Sequence, residues 1–268
     1  MNLLKKENQI LLREMIKTDF KLRYQGSFIG HLWSILKPMM LFTIMYLVFV
    51  RFLRFDDGTP HYAVGLLLGM VTWNFFTEAT NMGMMSIVSR GDLLRKLNFS
   101  KEIIVFSSVA GAAINYAINL VVVLIFALIN GVQFTWTSLI ILPLFVELVL
   151  LATGVAFILS SLFVKFRDIG PIWEVFLQAG LYATPIIYSL TFIVQRGQVT
   201  VAKIMMLNPI AQIIQDLRHY IIYSGNMTIR DLISNPLIVA IPYLLPIIIY
   251  IIGYVVFNKN AKRFAEIL

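Results

Sequence analysis

Residues 104–129 read IVFSSVAGAAINYAINLVVVLIFALI, an unbroken run without one charged side chain. A helix needs about 20 mostly apolar residues to cross about 30 Å of hydrocarbon, and this run supplies more. Stretches of the same kind lie at 34–53, 61–79, 138–163, 171–190 and 236–257, so the pattern predicts six membrane-spanning helices. The composition agrees: of 268 residues, 59% are hydrophobic and 13% charged, with mean hydropathy +0.82. Soluble domains carry about 25% charge, so this chain has too little to cover a water-exposed surface. A soluble enzyme, a disordered chain and a coiled coil are excluded together. The expected fold is an all-α membrane protein.

Basic flanks set the orientation. Of the 22 Lys and Arg, fifteen lie in the N-terminus, 80–103, 164–170 and the C-terminus, against six in the opposite flanks. Both termini are therefore expected in the cytoplasm, which an even number of spans also requires. The net charge of +8 then reflects anionic headgroups rather than nucleic acid. The absence of Cys removes disulfides, thiolate metal sites and thiol nucleophiles, and His31, His61 and His219 are too scattered for a metal centre. Residues 3–23 place Leu4, Leu11, Leu12, Met15 and Phe20 on one helical face, with Lys5, Arg13, Lys17 and Lys21 elsewhere. Such a helix lies in the cytoplasmic headgroup plane; the other reading is a basic leader that only sets topology. The chain reads as one transmembrane domain over 1–268. Its interfacial helix occupies 1–30, spans one to five 31–190, an outer segment 191–235, and span six with a tail 236–268.

The outer segment is not hydrophilic. Ile204, Met205, Met206, Leu207, Ile210, Ile213, Ile214 and Leu217 form an apolar group broken by Asn208-Pro209, an N-cap followed by Pro at the first helical position. Two short helices meeting there predict a re-entrant hairpin over the membrane, contacting Tyr188, with Arg218 and Arg230 at the headgroups. Pro185 frees a backbone carbonyl near the outer end of span five, where Thr184 can compensate. Pro185, Met206, Asn208, Pro209 and Ile210 are the expected outer gate. The competing reading is an interfacial helix resting on the bilayer.

No G-x-x-x-x-G-K-[ST] is present, so ATP dependence must come from another subunit. No G-x-S-x-G or H-E-x-x-H occurs, and Asp56-Asp57 reads as a solvated turn. Glu147 near the middle of span four is either a proton or cation site or a neutral carboxyl facing the bundle. Phe42, Tyr46 and Phe49 of span one and Phe176, Tyr182 and Tyr188 of the span-five region are either packing or lipid-facing aromatics or a channel lining, since flat rings stack on sugars. No catalytic, cofactor or metal residue is expected.

Arg23-Tyr24-Gln25-Gly26-Ser27-Phe28-Ile29-Gly30-His31-Leu32-Trp33, followed by Leu36-Lys37-Pro38, resembles the entry to span one of polysaccharide-exporting ABC transporter permeases, the ABC-2 type. Gly69 with Trp73-Asn74-Phe75-Phe76, Leu93-Leu94-Arg95-Lys96-Leu97 with Phe99, Phe166-Arg167-Asp168, Thr184-Pro185-Ile186-Ile187-Tyr188, and Asn208-Pro209 with Arg218 continue the likeness in order, over about 20–220. Two departures stand out: Ser100 where the family usually has Pro, and Arg90 where it often has Asn. The resemblance implies a bacterial cytoplasmic-membrane subunit that pairs with a second copy and works with two cytoplasmic ATPase subunits holding ATP and Mg. It would export a lipid-linked polysaccharide such as O-antigen, teichoic acid or cell-wall rhamnan. Segment 88–101 is then the expected coupling element, with Leu93, Leu94, Leu97 and Phe99 inside a basic rim of Arg90, Arg95 and Lys96. Two other classes remain. A membrane-embedded glycosyl- or acyltransferase would draw on Asp168, Glu174 or His31, and a secondary transporter on Glu147.

Overall fold

The computed structural model describes residues 6–22, 30–52, 59–96 and 99–264, and every regular element among them is helical. The elements are α1 (Lys6–Leu22), α2 (Trp33–Met45, continued by a π-helical stretch Tyr46–Phe52), α3 (Tyr62–Ser89), α4 (Gly91–Lys96) and α5 (Glu102–Ile129). After these come α6 (Ile141–Phe163, entered through the tight turn Trp136–Ile140), α7 (Ile169–Ala183), α8 (Leu190–Gln195) and α9 (Val199–Met206). The chain closes with α10 (Pro209–Leu217, continued by π-helical Arg218–Ile222), α11 (Ile229–Leu232) and α12 (Pro236–Ala261). Among the described residues, Glu102–Ile129, Trp136–Phe163 and Pro236–Ala261 are long and apolar enough to cross a membrane. Arg23 to Ile29, which carry the first family motif, lie outside the described residues, as does the Asp56-Asp57 turn.

Two expected spans change shape. The second does not stop at 79: α3 runs on to Ser89 and is the central helix, buried along most of its length. It holds Thr72, Glu78 and Thr80 because neighbours satisfy them. Asn115 Nδ2 of α5 donates to Glu78 Oε1 at 3.0 Å, and Thr80 Oγ1 accepts from Trp173 Nε1 at 3.1 Å. Polar residues inside a bundle are tolerated when they face protein rather than lipid. The fifth is shorter than expected. α7 has 15 residues, about 22 Å at 1.5 Å per residue, and ends at Ala183 because the residue before a proline is driven out of helical geometry. Thr184 is accordingly extended, φ −99° and ψ 138°.

Pro38 shows how the bundle repairs its own breaks. It cannot donate to the carbonyl four residues back, that of Ser34, and Asn119 Nδ2 of α5 donates there instead at 3.0 Å. Close helix crossings depend on small residues. A Cβ on Gly154 of α6 would stand 2.6 Å from the Tyr250 backbone of α12, and one on Gly253 would collide with the Gly154 carbonyl. The Phe157 ring fills the space beside this crossing, in contact with Phe106, Tyr250, Tyr254 and Phe257. A second, smaller apolar cluster of Leu190, Ala202, Met206, Ala211 and Ile229 forms a cap at one end of the bundle.

Candidate functional site

The cap opens α10 as the Asn208-Pro209 reading requires: Asn208 Oδ1 accepts from Ile210 N at 3.1 Å, and Pro209 stands at the first helical position. Met206 and Ile210 are buried, Met206 in the small cap cluster and Ile210 in the main core. Arg218 is not at a headgroup. It is 5% exposed and donates through Nε to Gly65 O (3.0 Å), through Nη1 to Pro185 O (2.8 Å) and through Nη2 to Ile186 O. Arg218 thus holds the carbonyls of Pro185 and Ile186, just past the end of α7. Gln215 Nε2 adds a bond to Pro185 O at 3.3 Å, and Asn208 Nδ2 reaches Thr184 Oγ1 at 3.4 Å. The cap therefore docks on Thr184–Ile186, while Tyr188 turns back to donate to Tyr182 O. Gly65 and Gly69, one turn apart on α3, leave room for this arginine: a Cβ on Gly69 would stand 3.0 Å from Arg218 Nη2.

Glu147 of α6 faces a second acid, Asp216 of α10, that its neighbours in sequence do not reveal, and its Oε1 has no hydrogen-bond partner. Asp216 and Gln212 of α10 and Tyr243 of α12 surround it. Tyr243 Oη and Gln212 Nε2 both donate to Asp216 Oδ2, at 2.7 and 2.8 Å. Outside the spans, burial pushes the Asp216 carboxyl up from its ordinary range. The sequence signal that could have found this group is the i, i+4 pair Gln212/Asp216 in a mostly apolar helix.

The aromatic residues divide. Phe42 is buried, edge-on to Phe126 of α5 at 5.7 Å, and Tyr46 packs at 5.9 Å from it. Phe49 is half-buried. Phe176 and Tyr182, by contrast, are 64% and 61% exposed, alongside Ile172 and Val175. α7 touches the bundle through buried Leu177, through Gly180 against the Trp73 ring, and through the Trp173–Thr80 bond. Its remaining sides are open.

At the other end, Leu94 is buried and Leu93 half-buried, with Arg95 and Lys96 exposed beside them. Phe99 packs against the core, and Leu97 lies outside the described residues. Arg90 is a brace rather than part of an open rim: it pairs with Asp19 of α1 and donates to Ser107 Oγ (2.9 Å) and Ile104 O (3.3 Å) of α5. Ser100 Oγ accepts from Asn8 Nδ2 of α1 at 3.3 Å. Both departures from the family pattern thus touch the same N-terminal helix.

The model of the ABC-2 type transporter family matches residues 10–222. The chain belongs to that family. An O-antigen export system permease protein RfbA of Klebsiella pneumoniae is 27% identical over 263 residues, covering 96% of this chain and 95% of the relative. One of the same description from Myxococcus xanthus is 28% identical over 204 residues, 76% of each. This ABC-2 chain is a multi-pass membrane transport component that works with a separate ATPase subunit, not an enzyme.

Proposed function

We propose that this chain is the permease half of a bacterial exporter that moves a lipid-linked polysaccharide across the cytoplasmic membrane, through a channel between two copies. The observation that supports it is the open face of α7, which presents the aromatic rings of Phe176 and Tyr182 beside Ile172 and Val175. In this reading the face lines the seam between two copies, where aromatic rings let sugars slide by stacking. The O-antigen export permeases that the chain resembles over nearly its full length support the substrate class.

In this reading the chain crosses the membrane six times, on α2, α3, α5, α6, α7 and α12, with both termini inside. α8 to α11 form a re-entrant outer gate, held shut by Arg218 on the carbonyls of Pro185 and Ile186. Leu93, Arg95 and Lys96 meet an ATPase on the cytoplasmic face, where two ATPase copies hold ATP and Mg. Tyr46 and Phe49 of span one line the channel with Phe176, Tyr182 and Tyr188, and Phe42 supports them from behind.

Deleting the gene should remove the surface glycan and leave lipid-linked polymer inside the cell, and a P-loop ATPase should co-purify with the chain. Cysteines at Tyr46 and Tyr182 should react with aqueous thiol reagents in at least one nucleotide state. Inaccessibility in every state would place the channel elsewhere.

A further inference from the structure

Three helices bring polar groups together in a place that neither the channel nor the coupling segment uses. Glu147 of α6, Gln212 and Asp216 of α10 and Tyr243 of α12 meet there. Six buried side-chain oxygens among the described residues lack a hydrogen-bond partner, and three belong to this group: Glu147 Oε1, Gln212 Oε1 and Asp216 Oδ1. Gln212 is wholly buried and Asp216 is 2% exposed.

The group is short of donors. Tyr243 Oη and Gln212 Nε2 both donate to Asp216 Oδ2, at 2.7 and 2.8 Å, and the Gln212 amide also reaches Glu147. Reversing that amide would only turn its oxygen toward a carboxylate. His219 and Arg230 stand near enough to Asp216 to favour its charge. His219 Nδ1, however, pairs with Asn226 O at 2.7 Å, and Arg230 is exposed. Two carboxylates facing each other out of water oppose each other's ionisation, and buried acceptors without donors are costly. A metal ion would need more ligands than this group offers: hard cations gather about six or more oxygens. Among the described residues no three Asp, Glu or His come together to hold one. A proton needs no volume, and it turns one carboxyl from an acceptor into a donor.

We propose that Glu147 and Asp216 hold one proton in common while the cap is seated on the bundle, and release it when α10 lifts. The shared proton ties α10 to α6, as Tyr243 ties it to α12. When the cap opens, water reaches both carboxyls, both ionise, and their repulsion delays reseating until a proton returns. Its role in export rests on the reading of α8 to α11 as a gate, which the gene deletion and thiol labelling above test without reference to pH.

The sign follows from linkage. The closed cap binds one more proton than the open cap, so closure is complete below the ordinary carboxyl range. It is lost as pH rises through the value of the closed pair. The test is hydrogen-exchange mass spectrometry on the full permease–ATPase complex in nanodiscs over a pH series, corrected for the intrinsic pH dependence of amide exchange. The opening constant of 209–217 should rise about tenfold per pH unit until the closed pair has titrated, then level off. Glu147→Gln keeps the shape and supplies an amide donor in place of the proton. It should abolish the slope and make opening at about pH 9 at least about tenfold rarer than in the wild type. A flat wild-type profile overturns the proposal. So does a wild-type slope that survives in Glu147→Gln, because Asp216 would then titrate alone. Closure that follows Na⁺ or Ca²⁺ concentration at fixed pH also overturns it, since a cation would then hold the pair. If the glutamine variant does not fold, infrared difference spectra of the wild-type complex between about pH 6 and about pH 9 decide. Loss of a protonated-carboxyl C=O band in step with cap opening is expected, and its absence refutes the shared proton.

Discussion

Replacing Arg218 with Met should loosen the cap formed by α8 to α11 without unfolding the bundle. The side chain makes three charge-assisted bonds, to the carbonyls of Gly65, Pro185 and Ile186. Gly65 O keeps its helical donor within α3, and Pro185 O keeps Gln215 Nε2. The Ile186 carbonyl carries most of the loss. A buried acceptor stripped of its donor costs about 1–3 kcal/mol, and a bond from a charged donor contributes about 1.5–3 kcal/mol. The missing charge no longer has to be desolvated, which offsets part of this. Attachment of the cap should fall by about 2–4 kcal/mol, raising the population of its opened form roughly 30- to 1,000-fold. Hydrogen-exchange mass spectrometry on the protein in nanodiscs reads this directly. Exchange over 185–222 should accelerate by that factor while α5 and α6 stay protected. Arg218→Lys should recover only part of the loss, since one ammonium cannot fork to three carbonyls. Unchanged exchange in the Met variant, or acceleration spread evenly through the bundle, would refute the latch.

Gly154→Leu should drive a side chain into the Tyr250 backbone, costing about 3 kcal/mol or more; a thermal melt of the purified protein that shows no shift would contradict the crossing. Asp19→Asn removes one partner of the Arg90 pair, whose side chains are 18% and 20% exposed. The cost should be about 0.5–1 kcal/mol, seen as faster proteolysis of α1, and high salt should reproduce it in the wild type. Leu93→Asp should uncouple ATP hydrolysis from export with the fold intact, whereas Leu94→Asp should lower the melting temperature because Leu94 is buried; the reverse pattern would move the docking knob. Asp216, faced by Gln212, Tyr243, His219, Arg230 and Glu147, has its carboxyl pushed above the ordinary 3.8 by burial. Its charged form is disfavoured in the fold, so cap attachment should be strongest at low pH and weaken as pH rises from the ordinary value through the displaced one. Asp216→Asn should flatten that pH dependence of exchange over 209–217.

Several features were legible before any coordinates, and each is a local property of the chain. Hydropathy alone located α5, α6 and α12, because an uncharged run of that length has no stable place in water. Asn208-Pro209 announced the start of α10, since a side-chain cap and a preset φ act within one turn. The amphipathic pattern of 3–23 anticipated α1, and the ordered motifs carried the family. The length of α3 was not legible. Its polar second half resembles a loop until Asn115 and Trp173 are brought beside it.

The amino-acid sequence by itself therefore determined the solvent of this protein, its helical class, its family and its dependence on a separate ATPase. The first two follow from composition and short-range backbone preferences, and the last two from the ordered family motifs. Only the tertiary structure decided where the buried polar groups find their partners. Arg218 reads as a headgroup anchor in sequence and is a latch on a broken helix 153 residues from Gly65. Glu147 reads as a lone intramembrane acid and faces Asp216 from another helix. Arg90 and Ser100 read as departures from a pattern and hold α1. A buried polar group must be satisfied by whatever donor or acceptor the fold places within about 3 Å, and that distance has no fixed relation to separation along the chain.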